Sequence, residues 1–547
     1  MAIPPHPTDE TIPSAGRSAA VVSAITIASR VMGLVRTLVV TSVLGITFLG
    51  NTYSSANALP NLLFEIVVGG AVAAALLPAI AGAAAAGKRD EVEVTASAVL
   101  NWALLIMTPV VLIGILLREP LMRALTSGVQ DPGIRGLEVA LGSLLLIMFL
   151  PQLWLYVIGV VLTAVLHAFH RFAVPALAPL LSSVVVTGAY LLYAFVEGPS
   201  SDRLEAISPA GKLILGIGTT MGVVVLSLSL VPPVRRLKVR WRRVLEVPEG
   251  ARRKLKALIG PAIATVGIQQ LFLGGVLVLA NRVEGGVVAY QLAFTTLLVF
   301  WAVFPLPMAT TLFPGLAAAS TDRAKFGRRS SEAGTRVTLI VVGAAALMFA
   351  LAEPLAALVL DLGAGGDGPD ARQMVALTVA AFAPGLIAYG LYALYTRAAY
   401  AAGDGRSPAL AALIGFGLGL VLNISAANLF EGPSLIAGLA GGFTIGISAG
   451  AGLLIALFRR RCGPEAVAGL SLSLARSLAS GLAAAGAGLV VARAVGGGSL
   501  VIDLMRAAAV SASVLVVYLL AQVVLGDRQI SGVARSLRRG AVEPAAD

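Results

Sequence analysis

Hydrophobic positions in this chain fall into long runs separated by short polar punctuation, not into the one-sided stripe of a water-soluble surface helix. A hydrocarbon core of about 30 Å takes about 20 apolar residues in a helix. Runs of that length predict 14 spans, centred near residues 19–45, 52–85, 94–117, 136–167, 174–196, 210–231, 258–281, 286–318, 335–358, 373–401, 408–430, 434–458, 473–495 and 500–525. The roughly 10-residue alternating segments of a membrane β-barrel are missing. The pattern therefore predicts an all-α polytopic membrane protein.

Composition sharpens this picture. The 547 residues are 58% hydrophobic and 12% charged, against about 25% charged in soluble domains. That excludes an ordinary water-soluble enzyme and a disordered chain. The 60 glycines suit membrane helices, which approach closely through small residues. Cys462 is the single cysteine, so no intramolecular disulfide or thiolate cluster is expected. His6, His167 and His170 are the only histidines, and no metal site is expected from them. The opening MAIPPHPTDETIPSAG has no basic segment leading into a short apolar core, so the first span is expected to be a retained anchor.

The formal charge of +12 is explained largely by topology. With loops assigned to alternate sides, 27 of the 40 Lys and Arg fall on one side, eight on the other and five within spans. This asymmetry predicts that both termini are cytoplasmic. The longest basic segment, 234–256, reads as a topological anchor attracted to anionic head groups of membrane lipids. Without a cytoplasmic domain around it, no nucleic-acid partner is expected.

Two segments recur. HRFAVPALAPLL (170–181) resembles GDGRSPALAALI (403–414), aligning Pro175 with Pro408 at an offset of 233. AALLPAIAGAAAAGKRD (74–90) resembles TTLFPGLAAASTDRAKF (310–326), aligning Pro78 with Pro314 at 236. Nearly equal offsets predict duplicated halves, and six intervening spans keep the copies parallel. The expected organisation is a tail (1–17), a first six-helix lobe (18–231), a basic linker (232–257), a second six-helix lobe (258–458), two further helices (459–526) and a second tail (527–547).

Charges inside spans are the candidate chemistry. Arg30 and Arg36 both lie in the first span, where a central arginine costs about 2.5–3.5 kcal/mol on insertion scales. Six residues place them about 120° apart on a helix, so both reach one cavity only if it is broad, and Gly33 between them is a candidate bend. Span 2 carries Asn51, Asn57, Asn61 and Glu65, with Pro60 and Gly69-Gly70 as candidate helix breaks. Glu65 suits either a salt bridge to Arg30 or Arg36, or a coupling-ion role. Arg397 lies near the end of span 10 and either snorkels or lines a cavity. Gln269 and Gln270 suit interhelical hydrogen bonds. No G-x-S-x-G, H-E-x-x-H or Walker A motif is present, so no catalytic residue is expected.

SRVMGLVR (29–36), ALPNLLFE (58–65), the Gly69-Gly70 pair, ALLP (75–78), HRFAVPALAP (170–179), IGPAIATVGIQQ (259–270), LFP (312–314) and YAAGDGRSP (400–408) occur in an order and spacing that resemble the MurJ/MviN lipid II flippases of the multidrug/oligosaccharidyl-lipid/polysaccharide exporter superfamily. The resemblance covers spans 1 to 12. It implies two six-helix lobes around a cationic cavity working by alternating access, with spans 13 and 14 forming a groove for a polyprenyl tail. The implied cargo is the undecaprenyl-pyrophosphate-linked peptidoglycan precursor, moved across a bacterial cytoplasmic membrane. Substrate contacts are then expected from Arg30, Arg36, Asn51, Asn57, Asn61, Glu65, Gln270 and Arg397. The chain departs from the family where Asn51 replaces an acidic residue, Phe64 and Glu65 replace basic ones, and Thr295 holds a cationic position. Ala393 stands near an expected lysine, with Arg397 one turn later. No cofactor is implied, and the drive is expected from membrane potential, protons or sodium. The alternatives are a polysaccharide-lipid flippase, a drug exporter, or a non-transporting scaffold that recruits cell-wall synthesis proteins.

Overall fold

The computed structural model describes residues 15–198, 203–304, 322–361 and 369–526. Among these residues every regular element is helical. In chain order the α-helices are α1 (Ala15–Leu44), α2 (Phe48–Phe64), α3 (Gly70–Ala85), α4 (Arg89–Leu116), α5 (Arg118–Leu125), α6 (Pro132–Phe149), α7 (Gln152–Ala168), α8 (Ala173–Glu197), α9 (Pro209–Leu228), α10 (Val231–Arg236), α11 (Glu249–Ala280) and α12 (Gly286–Val303). They continue with α13 (Arg323–Ala350), α14 (Ala352–Asp361), α15 (Pro369–Ala401), α16 (Arg406–Leu429), α17 (Gly432–Cys462), α18 (Leu470–Ala494) and α19 (Leu500–Val524).

Among the described residues, thirteen stretches are long and apolar enough to cross a membrane. The fourteenth expected span, span 2, is composite: α2 passes into a π turn over Glu65–Gly69 and then α3. Pro60 and Gly69-Gly70 were expected to break this span. Instead the helix runs through Pro60, and the winding loosens to π at Glu65, where Gly69 closes the wide turn and Gly70 opens α3. The chain gains a re-aimed helix face without exposing a broken backbone. Likewise α1 is unbroken at Gly33. Residues 1–14 and 527–547 of the tails, the segment around Pro314 and residues 362–368 lie outside the described residues.

Helix starts follow local sequence. Thr47, Asp131, Ser208, Asp322 and Ser499 each accept a hydrogen bond from a first-turn backbone N–H. Helices α16 and α17 approach through glycine: a Cβ on Gly446 would lie 2.5 Å from the Gly415 carbonyl oxygen. Large apolar side chains such as Phe195 and Val524 face outward, 86% and 83% exposed, as lipid contact requires.

The end of α7 and the end of α15 are superimposable in their hydrogen bonds. Phe169, His170 and Arg171 donate N–H to Val165, His167 and Leu166, and Ala402, Gly403 and Asp404 donate to Ala398, Tyr400 and Ala399. Every pair is shifted by 233. His170 and Gly403 both hold positive φ, 56° and 71°, the left-handed cap that ends a helix in a Schellman turn.

The basic linker is helical to Arg236, and α11 begins at Glu249. The extended strap between them lies along α4. Arg240 and Arg242 donate backbone N–H to Glu93 (3.0 Å) and Ser97 (3.0 Å). Asn101 donates to the Arg242 and Val244 carbonyls (2.9 Å each), and Trp102 to Leu245 (2.9 Å). Arg242 adds ion pairs to Asp90 and Glu93.

Candidate functional site

Helix α1 packs against α8 and α12, and between them lies a cavity of about 490 Å³. Arg30, Gly33 and Arg36 line it together, facing Ser182 and Ser183 of α8 and Thr295 of α12. The 120° between the arginines is absorbed by the breadth of this space. Arg30 is exposed and Arg36 half-buried. Among the described residues neither has an ion-pair partner. The cavity wall is thus a pair of uncompensated guanidiniums among hydroxyls, with no carboxylate lining it among the described residues. Such a surface is chemically suited to a multiply charged anion, since each guanidinium presents a planar fork to two oxygens. Arg36 also lies within electrostatic reach of Tyr53, Tyr156 and Tyr190. Tyr53 is hydrogen-bonded to Tyr190 and Thr219 at 2.7 Å each, so α2, α8 and α9 are fixed behind it.

A second cavity, also about 490 Å³, opens between α11, α12, α15, α16 and α17. Gln270 and Arg397 line it beside Tyr290, Tyr389, Tyr392 and Tyr400. Helix α12 stands between the two spaces, turning Thr295 to the first and Tyr290 and Phe294 to the second. The two linings have no residue in common and share helix α12.

The span 2 residues do not join this site as expected. Asn51 is fully buried, its amide donating to the Val283 carbonyl (2.8 Å) and accepting from the Val287 N–H (2.9 Å). Both of its polar groups are engaged in joining α2 to the turn before α12 as a latch, and it lines neither cavity. Asn281 extends the latch by donating to Ser55 (2.9 Å) and Leu125 (3.2 Å). Burial raises the nearby Glu284 carboxyl above the usual range, against a hydrogen bond from the Phe48 backbone. These contacts tie α2 to the turn between α11 and α12. Asn57 is half-buried and Asn61 exposed, and neither lines the two cavities. Glu65 opens the π turn, half-buried, and forms no ion pair with Arg30 or Arg36 among the described residues.

Arg506, within α19, is structural. It bonds Glu353 (2.5 Å) and the Ala492 carbonyl (2.7 Å), and Arg372 meets the same Glu353 (2.5 Å). This anchors α19 to α14. Two apolar crevices flank α13, one of about 220 Å³ against α15 and α18 and one of about 270 Å³ against α19. The tyrosines of α15 went unread in the sequence. Their signal was the spacing of Tyr389, Tyr392, Thr396 and Tyr400, which recurs at helical period and lies on one face.

Comparison with known proteins places this geometry. A family model described as lipid II flippase MurJ matches residues 40–507. A probable lipid II flippase MurJ of Vibrio cholerae is 26% identical over 417 residues, 74% of this chain and 76% of the relative. The lipid II flippase MurJ of Burkholderia cenocepacia is 27% identical over 456 residues, covering 82% and 84%. Among solved structures, a lipid II flippase MurJ in an inward closed conformation aligns with a TM-score of 0.74 at 18% identity, covering 92% of this chain and 99% of that one. An inward-facing multidrug resistance MATE family transporter of the MOP superfamily aligns at 0.64 and 14% identity, covering 82% and 98%.

Proposed function

The chain belongs to the MurJ family of lipid II flippases, and from that premise we propose that it carries undecaprenyl-pyrophosphate-linked peptidoglycan precursor from the cytoplasmic to the outer leaflet of a bacterial cytoplasmic membrane by alternating access. The observation that carries the reading is the cavity in which Arg30 and Arg36 stand unpaired across Gly33. A pyrophosphate leaving water needs cationic forks to replace its hydration, and two arginines match its charge. The apolar crevices beside α18 and α19 suit the polyprenyl tail. Both termini then lie in the cytoplasm, with the strap on the cytoplasmic face and the Asn51 latch closing the outer end. Drive comes from membrane potential or a proton or sodium gradient, since the chain has no nucleotide-binding motif. A drug exporter handling organic cations is disfavoured, because the arginine cavity repels them.

Purified protein in liposomes should translocate lipid II, and the Arg30→Ala and Arg36→Ala variants should fail to restore growth when the native copy is depleted. Full rescue by both variants overturns the site. Absence of translocation by the wild type favours the scaffold reading, for which the neutral Thr295 at a cationic family position is the supporting observation.

A further inference from the structure

Helix α6 carries a carboxyl that neither cavity uses. Glu138, two turns into α6, is 0% exposed and forms no ion pair among the described residues. Its Oε1 lies 3.2 Å from the Thr52 hydroxyl, and its Oε2 is buried with no hydrogen-bond partner among the described residues. The Thr52 hydroxyl has a single hydrogen, and the Phe48 carbonyl at 2.8 Å is the nearer acceptor for it. With that hydrogen engaged, the Thr52 oxygen is left as an acceptor, and the contact closes when the Glu138 carboxyl supplies a proton. Charge makes the same demand, because a carboxylate buried without a cation gives up its charge by taking a proton.

The charges around Glu138 leave this demand in place. The field that reaches it is that of Glu284, which has the same sign and accepts from the Phe48 N–H at the start of α2. On α5, Arg118 donates to the Ile115 carbonyl (3.1 Å) and Arg123 pairs with Glu119 (3.4 Å). Arg135, on α6 itself, donates to the Arg123 carbonyl (3.1 Å), and Arg282, in the turn before α12, to the Ala427 carbonyl (3.1 Å). Lys212, in the first turn of α9, forms no ion pair among the described residues. Tyr53 of α2 engages Tyr190 and Thr219. On α7, Tyr156 donates to Gln152 (3.3 Å), and His167 stands at the far end of the shared span Pro132–Ala168.

Position gives the proton a consequence. Thr52 follows Asn51, so Glu138 holds α2 from α6 where the latch holds it from the turn before α12. Moving α2 away from that turn admits water, and a hydrated carboxyl ionises near neutral pH. We propose that Glu138 is a proton-binding site of the outer end, loaded while the latch is closed and emptied into the outer solution when it opens. The carboxyl O–H bond breaks, the proton passes to water, and the carboxylate is hydrated. The outer placement rests on the transport reading above; proton binding at Glu138 does not.

The test sets nitroxide labels across the seam, on Gln130→Cys and Glu431→Cys in a Cys462→Ser background, both label positions being exposed. Pulsed electron resonance reads their separation in the reconstituted full chain, without lipid II, between about pH 5 and about pH 8. One proton released per opening raises the ratio of open to closed protein by about tenfold per pH unit while the closed form stays protonated. Glu138→Gln, which has the shape of the neutral carboxyl, should hold the closed separation at every pH and lose the slope, whereas Glu138→Asp and Glu284→Gln should keep it. A Glu138→Gln protein with the wild-type slope overturns the proposal, as does a wild type whose separation ignores pH. If Glu138→Gln does not fold, the infrared band of protonated glutamic acid, assigned with isotope-labelled glutamate, decides: it should be present in the closed wild type and fade as the open form grows, and its absence from the closed form overturns the site. A protein that keeps the slope but does not translocate lipid II loses the transport reading and retains the proton site.

Discussion

Two arginines in a cavity that no described carboxylate lines make the empty carrier a charged object, and this has a measurable consequence. A diphosphate diester carries two negative charges near neutral pH, so loading brings the cavity of Arg30 and Arg36 close to neutrality. On the transport reading, the membrane potential is then expected to act mainly on the return of the empty protein. One elementary charge crossing 100 mV is worth about 2.3 kcal/mol, so two charges crossing the whole field would gain about 4.6 kcal/mol. A rocking motion that carries the cavity through about a third of the field gives about 1.5 kcal/mol per 100 mV, or roughly tenfold in rate.

Substituting Arg36→Gln leaves one charge and reduces that dependence to about threefold per 100 mV. The Arg30→Gln/Arg36→Gln pair abolishes it. Each substitution also removes a charge-assisted contact worth about 1.5–3 kcal/mol, weakening lipid affinity by about 10- to 150-fold. The assay sets potassium diffusion potentials across proteoliposomes and follows lipid II translocation at saturating lipid. The slope against voltage is the informative quantity, because a merely misfolded fraction lowers the rate at every potential and leaves the slope intact. A double variant that still translocates with the wild-type slope would refute the assignment of the moving charge to this cavity.

Other consequences follow from packing and capping. Asn51→Leu removes both hydrogen bonds of the latch and leaves the buried Val287 N–H unpaired, so it should destabilise the protein by about 2–3 kcal/mol, seen as a lower Tm in detergent; an unchanged Tm counts against the latch. Gly33→Ala should stabilise by up to about 1 kcal/mol, since an added methyl meets nothing within 4 Å and glycine is costly inside a helix. Gly50→Ala should destabilise by about 1–3 kcal/mol, because its Cβ would lie 2.5 Å from the Gly45 carbonyl oxygen and 2.7 Å from Val288 Cγ2; Tm shifts of the same sign would contradict this packing. Asp404, 4% exposed, is pushed up by burial, but the Ser407 hydroxyl and N–H, Arg461 and the Arg406 N–H more than offset this and hold its carboxyl below the usual range. Asp404→Ala should cost about 1–2 kcal/mol near neutral pH. That advantage of the wild type should persist down to about pH 3.9 and fade as pH falls through the lowered pKa; a loss already complete near neutrality would refute it.

What the sequence made legible was whatever water and lipid judge one residue at a time. Span lengths follow from transfer energy, and a charge such as Arg30 or Arg36 stands out because an apolar helix makes it costly. Residues whose role depends on a distant partner were not legible. Asn51 and Arg30 are both polar residues in apolar spans, yet one is satisfied by Val283 and Val287 and the other has no ion-pair partner among the described residues. Only the fold distinguishes them. The strap is an intermediate case: Glu93, Ser97 and Asn101 recur every four residues along α4, a polar stripe that announces a partner without naming the basic segment that fills it. The tyrosines of α15 were hidden for the opposite reason, since an aromatic stripe at helical period reads as core until a cavity is found beside it.

The latch shows how a duplicated pattern and a tertiary contact inform one another. Asn51 and Val287 are 236 residues apart, the same offset that relates the segments around Pro78 and Pro314. Each sits in the opening turns of the second span of its half, so the bond joins corresponding positions. In a two-fold arrangement, corresponding positions can touch only near the axis, where one surface patch meets its own counterpart. A repeat offset read from the chain alone therefore marks which pairs are eligible to lie on the seam between lobes. It does not choose among them. That choice falls to chemistry: a buried amide can both donate and accept across the seam, which an apolar residue cannot, so Asn51, with Ser55 bonded to Asn281 beside it, ties the two halves together at this end.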